Sequence, residues 1–429
     1  MPDAAVAERT LPEPAQQRLW PVATVMATGI FATTLVQLQG LGYLPFSHLL
    51  MKRMGLNSDQ AATFFSLATL PWTFKFLAGL LMDAVPLFGS RRRAYLVLSA
   101  LAASALWLLM GLEPGNYNVL LALATAMNTA IVFGSTASGG LLVEAGQKFR
   151  VSGRLSSLRV FAQNLGAGLG LPLGGLLADQ ALGWTSAAAI LPMMCIFISA
   201  WFLLRGPPPV PVEPRRPFGK SLSHVALSIG WQLKNVLRRR MLWPAALIFF
   251  IQAVPTFRST CFYEYQTKTL HYSDAALGWL GLVGYGVALL SSGLYAWSCR
   301  KMPLRASLYG AIFVTSLSAV PYLFYTPYLP RAMGIESIGT FLQYLAYLPL
   351  FDMIVRTTPK GSEALGYAVL IGVWNLGLVI GTKTGPMLYE HVLSRNMNHL
   401  IWLNAGVTLA GIIFVYLLPG ALVEKREGK

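Results

Sequence analysis

The stretch from Pro71 to Tyr95, PWTFKFLAGLLMDAVPLFGSRRRAY, decides the fold. Its first half is an apolar helix carrying one lysine, Lys75, and its second half is a short turn with three successive arginines. A lysine inside an apolar span costs about 3 kcal/mol on insertion scales, so it asks for a partner or a task. The arginines mark which side of a membrane the turn faces. A charge with a use, followed by an orienting turn, reads as part of a transporter.

The rest of the chain agrees. Of its 429 residues, 55% are hydrophobic and 12% charged, where soluble domains carry about a quarter charged residues. Roughly 20 apolar residues cross a bilayer core as a helix. Twelve such stretches lie near 20–46, 60–82, 94–112, 119–145, 156–178, 185–204, 241–263, 276–298, 305–325, 335–355, 364–388 and 399–419. They are apolar all round, without the strict alternation of barrel strands. The expected fold is therefore an all-α membrane protein with twelve transmembrane helices, here called spans one to twelve.

The net charge of +16 raises a nucleic-acid reading, but the placement of charge excludes it. Of 33 lysines and arginines, with those near span starts such as Arg159 and Arg305 counted in the adjoining connection, 25 fall in the tails and even-numbered connections and 5 in the odd-numbered ones, leaving Lys75, Arg258 and Lys383 inside spans. That bias places both termini in the cytoplasm, with the protein expected in the cell (inner) membrane. A nucleic-acid groove gathers its charge on one folded surface, and no soluble part here is large enough. Cys195, Cys261 and Cys299 are odd in number and show no disulfide or metal spacing. The histidines show no metal spacing, and no nucleophile–base pattern appears, so neither an enzyme nor a cofactor is expected. Residues 1–19 read as a polar cytoplasmic tail without a signal core, and 420–429 as a second tail.

The longest connection, 205–240, divides the spans six and six, giving halves at 20–204 and 241–419. It opens as the stiff PPPVPVEPRRP and continues into an amphipathic pattern, with Leu222, Val225, Ala226, Ile229, Leu233, Val236 and Leu237 on one face. The halves echo each other. Asn164-Leu165-Gly166 followed by Gly170 and Gly174 in span five matches Asn375-Leu376-Gly377 followed by Gly381 and Gly385 in span eleven. Parallel six-span repeats around a midplane site are the layout of the major facilitator fold. Glycines every four residues let helices approach closely.

Pro71, Trp72, Lys75, Gly79, Asp83, Pro86, Gly89, Arg92, Arg93 and Tyr95 together resemble the folate-biopterin transporter family of the major facilitator superfamily. Lys75-Phe76-Leu77, Leu81-Met82-Asp83 and Arg91-Arg92-Arg93 also resemble the muropeptide permeases. The resemblance implies a transporter. Both families usually carry two acidic residues four apart in span four, whereas Ser135 and Gly139 occupy those places here and only Glu144 remains acidic. The substrate and any proton coupling are therefore not carried over.

Lys75 and Arg258 are the deep cations, and a guanidinium without an acid in its own turn is a fork for a carboxylate. Gln39, Asn128, Asn164, Gln252 and Asn375 are the polar candidates for a substrate cavity, with Asn164 and Asn375 at equal depth by the repeat. Trp374 and Tyr344 are candidates to stack on a flat ring. Asp83 with Arg91, Arg92 and Arg93 reads as a charge lock on the cytoplasmic side, with Glu144 beside it. Asp352 and Arg356, one turn apart, read as a local pair, and Asp352 or Glu144 as the proton site if transport is proton-driven. Lys383 sits near the outer interface, where snorkelling competes with gating. The expectation is a secondary transporter moving a small organic anion by alternating access. A muropeptide or sugar-anion permease is the nearest alternative, and a non-transporting assembly or receptor-like protein with the same fold is the alternative from another class.

Overall fold

The computed structural model describes residues 19–112, 115–204, 218–236 and 239–424, and they are almost wholly helical. Ten helices among them are long and apolar enough to cross a membrane. Span seven passes the same test as a bent pair with the end of the linker helix, and span one, Leu19–Leu35, is apolar but shorter. The remaining spans are built on Arg93–Gly111, Tyr117–Lys148, Ser152–Leu177, Leu182–Leu203, Arg239–Glu264, Asp274–Ser298, Leu304–Ser318, Leu329–Thr357, Glu363–Met387 and Met397–Ala410. Both tails at 1–18 and 425–429, and the proline-rich part of the connection at 205–217, lie outside the described residues.

Two spans are interrupted, and residues of both interruptions line one cavity. The first stretch is not one helix over 20–46. It stops at Leu35, runs through an irregular segment, and resumes as Tyr43–His48. A Cβ at Gly40 would stand 2.8 Å from the Leu35 carbonyl oxygen, so the chain folds back there on a residue without a side chain. The second stretch is broken into Ser58–Ala68, a single tight turn at Leu70–Trp72, and Lys75–Ala84. Pro71 has no N–H to continue the ladder and its ring obstructs the turn before it. Irregular backbone at membrane depth persists only where protein or a cavity surrounds it.

The glycine repeat packs as its symmetry implies. Gly166, Gly170 and Gly174 of span five lie against the carbonyls of Phe31, Leu35 and Leu41 in and after span one. Gly377, Gly381 and Gly385 of span eleven lie against those of Phe249, Ala253 and Phe257 in span seven. A Cβ at Gly166 would reach 2.7 Å from the Phe31 oxygen, and one at Gly377 2.8 Å from the Phe249 oxygen, so backbone meets backbone in both halves.

One face of the bundle carries Arg92, the end of span four, the start of span eleven and the linker helix Phe218–Val236; it is called the linker side below. In that helix Gln232, Asn235 and Val236 are buried and Trp231 lies over Gly361, while Leu233, expected on the apolar face, is exposed. Docking at the end of this helix thus buries Val236 of the expected apolar face together with the polar Gln232 and Asn235, while the side chains of Leu222, Val225, Ala226 and Leu237 lie outside the described residues. The halves meet closely on the linker side. Gln147 Nε2 donates to the Val355 and Thr358 carbonyls at 2.8 and 2.7 Å. A Cβ at Gly79 would meet the Ala364 carbonyl oxygen at 2.7 Å.

Candidate functional site

Lys75 begins the second segment of broken span two, so its ammonium sits beside a helix N-terminus, where backbone dipoles add positive potential. It is buried, and its Nζ donates to Ser135 Oγ at 2.7 Å. The Trp72 ring faces that Nζ at 5.2 Å and the Tyr367 ring at 6.0 Å. Ser135 is one of the two span-four places singled out above, and it supplies a neutral acceptor.

Arg159 completes the group, and sequence reading missed it by assigning it to the basic connection before span five. It lies inside the helix Ser152–Leu177 and is buried. Its Nε donates to Tyr367 Oη at 2.6 Å, its guanidinium lies 3.9 Å from the Phe351 ring centroid, and its Nη1 is buried without a hydrogen-bond partner. Among the described residues neither Lys75 nor Arg159 has a carboxylate partner. Two unneutralised cations beside one phenol constitute an anion-attracting centre in a low-dielectric setting.

Above it, away from the linker side, is a cavity of about 310 Å³ lined by Gln37, Gln39, Thr69, Trp72, Thr73, Asn128 and Asn375. The breaks in spans one and two supply most of this lining. Trp72 connects cavity and cations: it lines the former, faces Lys75, and donates from Nε1 to Asn128 Oδ1 at 3.1 Å. Asn128 Nδ2 is tied to the Ala124 carbonyl at 3.0 Å. Phe351 stacks on Trp374 at 4.9 Å, and Trp374 meets Tyr347 edge-on at 4.8 Å, so Arg159 continues into a row of rings. Tyr344 ends that row, 6.0 Å from Tyr347.

The other expected residues are distributed unevenly. Asn375 opens into the cavity, but its repeat mate Asn164 is buried and donates to the Val160 carbonyl of its own helix at 2.9 Å. Equal depth did not give equal exposure, so Asn164 does not line the cavity. Gln252 is buried in the span seven–eleven contact, with its Oε1 unpartnered. Lys383 is exposed on span eleven. The side chain of Arg258 lies outside the described residues.

Of the three arginines expected to pair with Asp83, Arg92 does so. Arg92 is 4% exposed; its Nη2 reaches Asp83 Oδ1 and Glu144 Oε1, each at 2.7 Å, and Glu363 Oε2 at 3.8 Å. Asp83 Oδ2 also accepts the Leu365 N–H at 2.9 Å, capping the start of span eleven. Burial works against the Arg92 charge, but Glu144, Asp83 and Glu363 hold its pKa above the ordinary arginine value. Arg93 instead turns to span six, where its Nη2 donates to the Trp201 carbonyl at 3.0 Å and it packs over the Trp201 ring. Arg91 is half-buried and makes no ion pair among the described residues. Asp352 pairs with Arg356 at 2.8 Å as the spacing implied, accepts Tyr295 Oη at 3.3 Å, and is joined across the halves through Arg356 Nε to Ser152 Oγ at 3.2 Å.

One further intramembrane acid escaped sequence reading. Glu336 of span ten accepts Tyr322 Oη at 2.7 Å, Tyr325 Oη at 3.1 Å and Gln266 Nε2 at 3.5 Å, with Phe262 edge-on to both tyrosines. The expected span began at 335, which put this acid at its edge. The helix in fact begins at Leu329, which sets Glu336 two turns in.

Comparison with known proteins places this arrangement. The human organic anion transporter MFSD10 superposes with a TM-score of 0.68 at 14% identity, covering 93% of this chain and all of that one. The proton:xylose symporter XylE superposes at 0.62 with 13% identity, covering 94% and 96%. Both likenesses establish the major facilitator fold. In sequence, the Folate-biopterin transporter of Synechocystis sp. is 31% identical over 413 residues, covering 90% of this chain and 80% of that protein. Folate transporter 1 of Plasmodium falciparum is 22% identical, covering 92% and 80%. Residues 38–429 match the profile of the BT1 family. The chain therefore belongs to the BT1 family and is a multi-pass membrane transporter of the major facilitator fold.

Proposed function

We propose that this transporter carries a small, ring-bearing organic anion of the folate or pterin kind by alternating access. Lys75 and Arg159 hold its acid groups, and the Phe351–Trp374–Tyr347 row takes its ring. The observation that carries the reading is the pair of buried cations whose partners are a serine hydroxyl and a phenol, with no acid among the described residues to neutralise them. An arriving carboxylate is their missing countercharge, and a bond between charged groups is roughly twice as strong as a neutral one. The names of the relatives from Synechocystis and Plasmodium point the same way.

The moving units are the halves 20–204 and 241–419, joined by the linker at 205–240. With the positive-inside bias, the linker side is cytoplasmic, and the chain is closed there with its cavity on the other side. Glu144 and Asp352 act as locks, each held by an arginine, and Arg258 is the contribution of span seven to anion attraction. Reconstituted into liposomes, the protein should take up radiolabelled folate saturably, and Lys75→Gln should lower that uptake at least about tenfold. Absence of uptake of folate, biopterin and p-aminobenzoate alike would sink the reading.

A further inference from the structure

Tyr367 belongs to span eleven, yet every partner of note around it comes from the other half. Its ring fills a notch at Gly139 of span four, where any Cβ would overlap the ring carbons. Its hydroxyl accepts Arg159 Nε from span five at 2.6 Å, and its ring faces Lys75 from span two at 6.0 Å. Tyr367 stands one helical turn beyond Glu363 and close to Leu365, the residues that Arg92 and Asp83 engage. The same turn of span eleven is thus held by the charge lock and by the tyrosine.

We infer that Tyr367 is a positioning residue that couples occupancy of Arg159 to closure of the linker side: its hydroxyl serves Arg159 while the site is empty, and an arriving anion displaces it. The anion belongs to the function proposed above; the contact between the halves does not depend on it. A phenol oxygen is a neutral acceptor, and a carboxylate makes a charge-assisted bond to the same nitrogen. Arg159 Nη1, buried and unpartnered, is a second donor already waiting. Once the hydroxyl is released, only packing keeps the ring in its notch, and span eleven is left with its contacts to Arg92, Asp83 and Gly79 as ties to the opposite half. Binding then favours opening because the anion engages Arg159 better when Tyr367 has withdrawn, which is the differential affinity that any population shift requires.

The test uses Tyr367→Phe, which keeps the ring and removes the hydroxyl. Spin labels at Lys148→Cys and Lys360→Cys, exposed on the linker side in opposite halves, report the separation by double electron–electron resonance in an otherwise cysteine-free background. Without ligand, Tyr367→Phe should raise the long-distance population about tenfold or more, the worth of a hydrogen bond to a charged group. It should also tighten folate binding by a similar factor, because the phenol no longer competes. A merely structural tyrosine gives the opposite: unchanged distances, and folate affinity equal or weaker. Gly139→Ala, which drives a methyl into the ring's place, should open the linker side in the same direction and guards against misfolding of the first variant. Unchanged distance distributions in both variants overturn the inference. If the wild-type protein fails to bind folate, the proposed substrate falls, and the ligand-free distances still decide the role of Tyr367.

Discussion

Replacing Arg92 with glutamine should unlock the linker side. The guanidinium is 4% exposed and one of its nitrogens touches Asp83 and Glu144 at 2.7 Å and faces Glu363 at 3.8 Å. Breaking a buried ion pair by removing one partner costs about 3–5 kcal/mol, because the remaining charge is stranded. Here the side chain of Asp83 is fully buried, that of Glu363 is 12% exposed and that of Glu144 is 36% exposed. Solvent screening at Glu144 places the net cost near the lower end, about 3 kcal/mol. Opening separates Glu363 from the two acids of the other half and hydrates all three, so the penalty falls mainly on the closed state. At about 1.4 kcal/mol per tenfold, closure should weaken by about a hundredfold. Cys299 reports it: the thiol is buried against Gly153 where the halves meet on the linker side. In a Cys195→Ser, Cys261→Ser background, N-ethylmaleimide should modify Cys299 far faster in Arg92→Gln than in its parent, approaching that factor. Equal rates would refute the assignment of Arg92 as the lock.

The packing contacts make two further predictions. Gly381→Ala should destabilise the protein by several kcal/mol and lower its melting temperature sharply, because the methyl would enter the Ala253 carbonyl of span seven, while Gly406→Ala, facing open space, should leave it unchanged. Equal melting temperatures for the two variants would contradict the backbone-to-backbone packing of spans seven and eleven. Glu336→Leu should cost about 1–3 kcal/mol, since it removes the carboxylate that accepts from the hydroxyls of Tyr322 and Tyr325. Glu336→Gln, which keeps an acceptor, should cost less in the same thermal denaturation series.

What was legible in the sequence is what depends on one helix at a time. Twelve apolar stretches and the offset glycine repeat each leave a local signature; ten of the stretches are helices long and apolar enough to cross a membrane, and the glycines pack backbone to backbone in both halves. Lys75 stood out because a charge inside a span has a cost visible without coordinates. Arg159 carries the same cost and was hidden by its neighbours: Arg150 and Arg154 made a basic string that disguised the third member as topological. The helix begins at Ser152, which places Arg159 two turns deep. Pro71 likewise announced the break in span two that puts Lys75 at a helix N-terminus. By contrast, the pairing of Arg92 with Glu363 and the seating of Tyr367 at Gly139 join residues more than two hundred apart, and no single span encodes them.

The account rests on Lys75 and Arg159 as an anion site without its own countercharge, and equilibrium folate binding to purified protein tests it most directly. The wild-type protein should bind folate. Arg159→Gln and Lys75→Gln should each weaken binding by about tenfold or more, the worth of a charged hydrogen bond, and the double variant should abolish it. Binding of folate by the double variant with wild-type affinity would contradict the assignment.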